Sequence, residues 1–79
     1  MTELGQILEM VEALIRQPRT NARLMDLMGV GYRTLKRRIA EARHLGVELS
    51  SRQMEVNERG KLTGPYYWEV TNAPAIEPQ

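Results

Sequence analysis

The chain has no cysteine and a single histidine, His44. Without cysteine neither a disulfide nor a thiolate metal site can form, so the fold rests on packing alone, and a reducing compartment suits it. His44 has no second ligand within helical reach, which argues against a metal role and leaves it a surface residue or a phosphate contact. A glycine-rich phosphate loop is also missing, as is any grouping of Asp, Glu and His at a catalytic spacing. This inventory points away from an enzyme, and nothing in it asks for a cofactor or a small-molecule ligand. No apolar run approaches the roughly 18 residues that span a bilayer, and Glu3 stands where a secretory signal would carry basic residues. The expectation is a cytoplasmic protein with no membrane partner.

Hydrophobic residues make up 42% of the chain and charged residues 27%, a globular balance rather than a disordered one. Seventy-nine residues allow one core and not two. The predicted division is one domain over residues 1–71 and a flexible tail over 72–79, where Pro74 and Pro78 stand among few residues worth burying. The formal net charge of +1 says little about partners, but its distribution says more. Of the 11 basic residues, Arg16, Arg19, Arg23, Arg33, Lys36, Arg37, Arg38 and Arg43 fall in the middle of the chain, where Asp26 and Glu41 are the only acids. A regional basic patch is an electrostatic footprint for nucleic acid.

Leu4, Ile7, Leu8, Val11, Leu14 and Ile15 recur at helical spacing, and Glu3, Gln6, Glu9 and Glu12 face the other way. Pro18 ends this helix by disfavouring helical geometry at Gln17, and Thr20 offers an N-cap hydroxyl to a second, short helix from Asn21. Its inward residues are expected to be Leu24, Leu27 and Met28, with Gly29 at its C-terminus. A third run places Leu35, Ile39, Ala42 and Leu45 on one face and closes at Gly46. Arg38 falls at the edge of that face, where packing of its stem or an ion pair suits it better than a base contact. Met10 and Met25 are candidates for exposure, where they would suit a homodimer contact.

Beyond Gly46 the alternation becomes strand-like through Val47, Leu49 and Ser51 to Met54 and Val56, followed by the turn residues Asn57 to Lys61. After a break at Gly64-Pro65, Tyr66 to Val70 read as the returning arm. Adjacent strand residues point to opposite faces, so Tyr66, Tyr67 and Trp68 are hairpin packing rather than a stacking platform. The predicted fold is α+β: a three-helix core containing a helix-turn-helix, followed by a C-terminal β-hairpin.

Two helices joined by Gly29-Val30-Gly31 form a helix-turn-helix, in which the second helix of the pair enters the major groove. That recognition helix covers about residues 32–45. With Leu35, Ile39 and Ala42 inward, a step of roughly 100° per residue turns Arg33, Arg37, Ala40 and His44 outward, with Lys36 and Arg43 beside them. The small Ala40 lets the helix approach the groove floor, Arg33 and Arg37 are the preferred base readers, and Lys36 reaches a base edge or phosphate. Tyr32 suits a phosphate or a thymine methyl, Thr34 a phosphate, and Thr20 and Arg23 complete the set at the start of the second helix.

Pro18-Arg19-Thr20, Leu24, Leu27, Gly29-Val30, Arg33-Thr34-Leu35, Arg38-Ile39 and Leu45-Gly46-Val47 resemble the winged-helix domains at the N-terminus of the biotin repressor and of DeoR-type regulators. The resemblance spans roughly residues 5 to 70. It implies a β-hairpin wing over about residues 52–64, lying on the backbone or minor groove, with Arg52, Arg59 and Lys61 making those contacts. The chain departs from the pattern at Gly31, where such families place a capping serine, and at Arg23, where they place an acid. It departs again at Leu62-Thr63-Gly64-Pro65, which lengthens the wing.

The function expected from this reading is sequence-specific binding of double-stranded DNA by a bacterial, phage or plasmid transcriptional regulator, repressor or activator, nucleoid-associated when bound. The alternative is a winged helix used to dock protein in a replication, partition or regulatory complex.

Overall fold

The computed structural model describes residues 3–73. Along the chain run α1 (Glu3–Arg16), β1 (Arg19–Thr20), α2 (Asn21–Met28), α3 (Tyr32–His44), β2 (Glu48–Val56) and β3 (Leu62–Asn72). The fold is α+β, with three helices and one antiparallel sheet in the order β1-β3-β2. Among the described residues no helix is long and apolar enough to cross a membrane.

Helix α1 buries Ile7, Met10, Val11, Ala13 and Leu14, and carries Glu3 in its first turn and Arg16 in its last, the arrangement the helix dipole favours. Met10 is fully buried, which corrects the expectation that it lies at the surface; Met25 is half-buried against the same core. Met10 therefore offers no dimer contact. Leu4 and Ile15, expected in the buried stripe, are largely exposed, Leu4 at the open edge between α1 and α3 and Ile15 near the end of α1.

Pro18 stops α1, and the two residues that follow form a strand too short to show any periodicity. Arg19 pairs with Trp68 and Thr20 with Tyr67. Thr20 then caps α2, its hydroxyl accepting from the Arg23 N–H at 3.2 Å. Helix α2 turns Leu24 and Met28 inward, a pair four residues apart on one face. Leu27 lies a quarter-turn away and is exposed, contrary to its expected place in the core. Gly29 ends the helix at φ 66°, a left-handed conformation with little steric penalty for glycine alone, and its N–H donates to the Met25 carbonyl.

Helix α3 buries Leu35, Arg38, Ile39 and Ala42. At its end the Gly46 N–H donates to the Arg43 carbonyl and the Val47 N–H to the Ala42 carbonyl, the paired bonds of a Schellman motif. That turn drives Val47 into the core and leaves the capping residue Leu45 outside it, so Leu45 is not part of the buried stripe. One contiguous core joins residues of all three helices to Val47 and Leu49, with Trp68 and Val70 of β3 packed against it.

The hairpin of β2 and β3 is long, and beyond Leu49 no β2 residue is buried. It stands out from the helices and gives the molecule its 49 × 25 × 18 Å extents. Strand β3 runs unbroken from Leu62, which corrects the expected break at Gly64-Pro65. The register passes from Gln53↔Tyr66 to Glu55↔Thr63, so Gly64 and Pro65 together oppose one β2 residue in a bulge. Gly64 has φ 84°, and Pro65 is tolerated because a bulge leaves its missing N–H unneeded. Gln53 secures the bulge, its Nε2 donating to the Gly64 carbonyl at 2.9 Å. Asn72 belongs to β3 opposite Glu48 rather than to a tail, and residues 74–79 of the predicted tail lie outside the described residues.

Candidate nucleic-acid interface

Burial of Leu35, Ile39 and Ala42 fixes the orientation of α3, and the opposite face carries Arg33, Arg37, Ala40 and His44, all exposed. Neither Arg33 nor Arg37 has a side-chain partner among the described residues, so both guanidinium groups keep all five donors for an external acceptor. Ala40 lies between them and His44 on this face and keeps it low. Lys36 is exposed on the flank, its Nζ 5.7 Å from the Tyr32 ring centroid one turn earlier, a cation–π contact that orders both side chains. Thr34 is half-buried on the other flank.

Arg38 lies 6% exposed at the edge of the core, as its angle on the helix predicts. Its Nε donates to Gln6 Oε1 at 2.8 Å, its Nη1 to Glu41 Oε1 at 2.6 Å, and Glu3 lies 4.0 Å from its Nη2. Arg38 thereby ties α3 to α1 and is withdrawn from any external role.

Two arginines expected to contact DNA are engaged within the fold. Arg43 falls on the sheet side of α3, where its Nη2 donates to the Leu49 carbonyl at 3.1 Å and its guanidinium lies 5.2 Å from the Trp68 ring centroid. Arg43 is exposed on the same flank as Lys36, but these contacts hold its guanidinium within the fold, so unlike Arg33 and Arg37 it does not keep its donors free. Arg52 pairs across the hairpin with Glu69 at 3.1 Å, in a partly exposed ion pair of small energetic weight. The Thr20 hydroxyl is occupied as a helix cap.

Arg59 and Lys61 sit at the hairpin tip. Asn57 organises the turn: its side-chain oxygen accepts from the Arg59 and Lys61 N–H groups at 2.9 and 3.0 Å, and its own N–H donates to the Lys61 carbonyl at 2.9 Å. Both cationic side chains are exposed and unpaired among the described residues. Arg23 is likewise free and exposed, beside a polar depression lined by Gln17, Pro18, Arg19 and Tyr67. Of the cations expected to contact DNA, the structure therefore leaves three exposed groups: Arg33, Lys36 and Arg37 on α3, Arg23 at the start of α2, and Arg59 with Lys61 at the tip.

Sequence reasoning missed two contacts made across long separations. The Trp68 indole N–H donates to Asn21 Oδ1 at 2.6 Å, and the Tyr67 hydroxyl donates to Glu55 Oε2 at 2.8 Å across the bulge. No local pattern announces either, since each depends on hairpin register. The bond to Glu55, then burial and the Glu55 charge, raise the Tyr67 pKa above the ordinary phenol value, with Arg23 opposing. The contact therefore stabilises the fold fully below the ordinary phenol pKa, and its contribution is lost as pH rises through the elevated folded value. Glu55→Gln should lower the Tyr67 ionisation midpoint in an NMR pH titration; an unmoved midpoint would refute the assignment.

Among the described residues no three His, Cys, Asp or Glu side chains converge as a metal site. Compared with protein-family models, curated proteins and solved structures, the chain matches none.

Proposed function

We propose that the chain is a winged helix-turn-helix domain that binds double-stranded DNA as a transcriptional regulator, with α3 in the major groove and the β2–β3 hairpin as a wing on the neighbouring backbone or minor groove. The element order, the β1-β3-β2 sheet and the projecting hairpin support the winged-helix reading. One observation carries the DNA reading: Arg33 and Arg37 stand unpaired on the face of α3 opposite its buried stripe, with the small Ala40 on the same face. An exposed guanidinium with all donors free matches the O6 and N7 acceptors of guanine or a phosphate. Arg33 and Arg37 read bases, Lys36, Tyr32 and Arg23 position the helix on phosphate, and Arg59 with Lys61 anchor the wing. The role is binding and occupancy of an operator, not catalysis.

Selection of bound fragments from random DNA, followed by a mobility shift of the recovered duplex at two salt concentrations, tests this reading. Retention should fall steeply with salt, and the recovered sequences should share a motif. Two-fold symmetry in that motif would mean that the protein binds as a dimer. A chain that retains no duplex at low salt is not a DNA-binding protein. The second reading, a protein-docking module, draws on the shallow apolar groove lined by Leu4, Ile7, His44 and Leu45 at the α1–α3 edge. It predicts no salt-steep retardation.

A further inference from the structure

At the hairpin tip, Val56 and Leu62 are direct register partners, and each is 61% exposed. Single exposed aliphatics need no explanation. Two facing each other at the end of a ribbon with no core behind it form a small apolar blade. A cross-strand pair of this kind stiffens a hairpin, but two threonines would do so while leaving far less apolar surface in water. Met54, also exposed, extends the apolar surface along β2 toward the bulge.

The surroundings of the blade identify what it meets. Arg59 and Lys61 lie just beyond it in the same turn, unpaired, and Asn57 fixes their backbone through three hydrogen bonds. Glu58 is the one acid of that turn, and the Glu55 carboxylate below it is occupied by the Tyr67 hydroxyl. An apolar pair with two cations in the adjoining turn suits a surface whose interior is apolar and whose rims are anionic. In the minor groove, stacked bases lie between two phosphate rows, and aliphatic side chains wedged between base steps unstack and bend the duplex.

Building on the DNA-binding reading above, we infer that the Val56–Leu62 pair is a wedge that enters the minor groove beside the α3 site and kinks the duplex there. Arg59 and Lys61 hold the two phosphate rows while the aliphatic pair displaces a base step. The wing then contributes to recognition through the deformability of the sequence beneath it, favouring easily unstacked pyrimidine–purine steps.

The test uses the full chain and the duplex recovered by the random-sequence selection, labelled at its ends for energy transfer and carrying 2-aminopurine at successive steps under the wing. The wild type should bend this duplex by about 20 to 90° and raise 2-aminopurine fluorescence at one step. The double variant Val56→Thr/Leu62→Thr keeps strand-favouring residues, and its thermal unfolding should match the wild type. It should bind about ten- to a hundredfold more weakly, with the bend and the fluorescence signal both lost. A wild-type complex that is tight but straight, or a bend that survives in the variant, overturns the wedge and leaves the DNA reading intact. Self-association of the wild type in sedimentation, abolished by the same variant, would assign the pair to a second copy of the chain and also overturn it. No duplex retained at all removes both readings together.

Discussion

Alanine at both Arg33 and Arg37 should sharply reduce discrimination between the selected duplex and random DNA while leaving the protein folded. Each bidentate arginine–guanine contact contributes about 1 to 3 kcal/mol of discrimination, so the pair should lose about 2 to 6 kcal/mol on the selected duplex and much less on random sequence. Neither side chain has an internal partner, so thermal unfolding should move by no more than about 0.5 kcal/mol. Lys61→Ala serves as the contrast, since a phosphate contact weakens all sequences alike and lowers the salt dependence. Mobility shifts on both duplexes at two salt concentrations make the comparison. Equal losses on the two would mean that the arginines supply charge and not base readout.

Leu35→Ala should have the largest effect on stability. Leu35 is fully buried at the heart of the core, and truncating such a leucine costs about 2 to 5 kcal/mol through lost transfer energy and the cavity left behind. A small domain holds total stability of about 5 to 15 kcal/mol, and a chain of this length belongs at the lower end, so the variant should be partly unfolded at room temperature. Leu45→Ala removes the same atoms from an exposed capping position and should cost under about 0.5 kcal/mol. Urea unfolding of the two variants separates these cases, and comparable losses would contradict the orientation given to α3.

That orientation was legible in the sequence because α3 is long enough for its period to identify one face, and the free arginines follow from it directly. Helix α2 has only two turns, and over that length Leu24, Leu27 and Met28 all fit an apolar stripe. Only packing against α1 and α3 selects Leu24 and Met28. Leu45 shared the period of α3, but the chain leaves helical geometry at that residue, so periodicity stopped being a guide one position too soon. Strand β1 is two residues long and exists because β3 is there to pair with it. The Gly64-Pro65 dipeptide reads in sequence as a break between strands; that it is a bulge within one strand depends on partners in β2.

The candidate site divides along the same line. The exposure of Arg33, Lys36 and Arg37 and the boundary position of Arg38 follow from the period of α3 alone. The engagement of Arg43 and Arg52 does not, because their partners Leu49, Trp68 and Glu69 arrive through the hairpin register. Basic residues on and near α3 share one appearance in the sequence, and folding divides them into those it uses and those it leaves free.

Trp68 is gripped from two directions, its indole N–H held by Asn21 of α2 and its ring covered by Arg43 of α3. Those contacts tie the root of the hairpin to both helices, so a change in its angle to α3 has to break one of them. A ligand touching both elements meets them at a braced spacing, and less motion remains to be frozen on association than for a free hairpin. A ligand whose features are spaced differently would have to strain itself or forgo one of the two contacts.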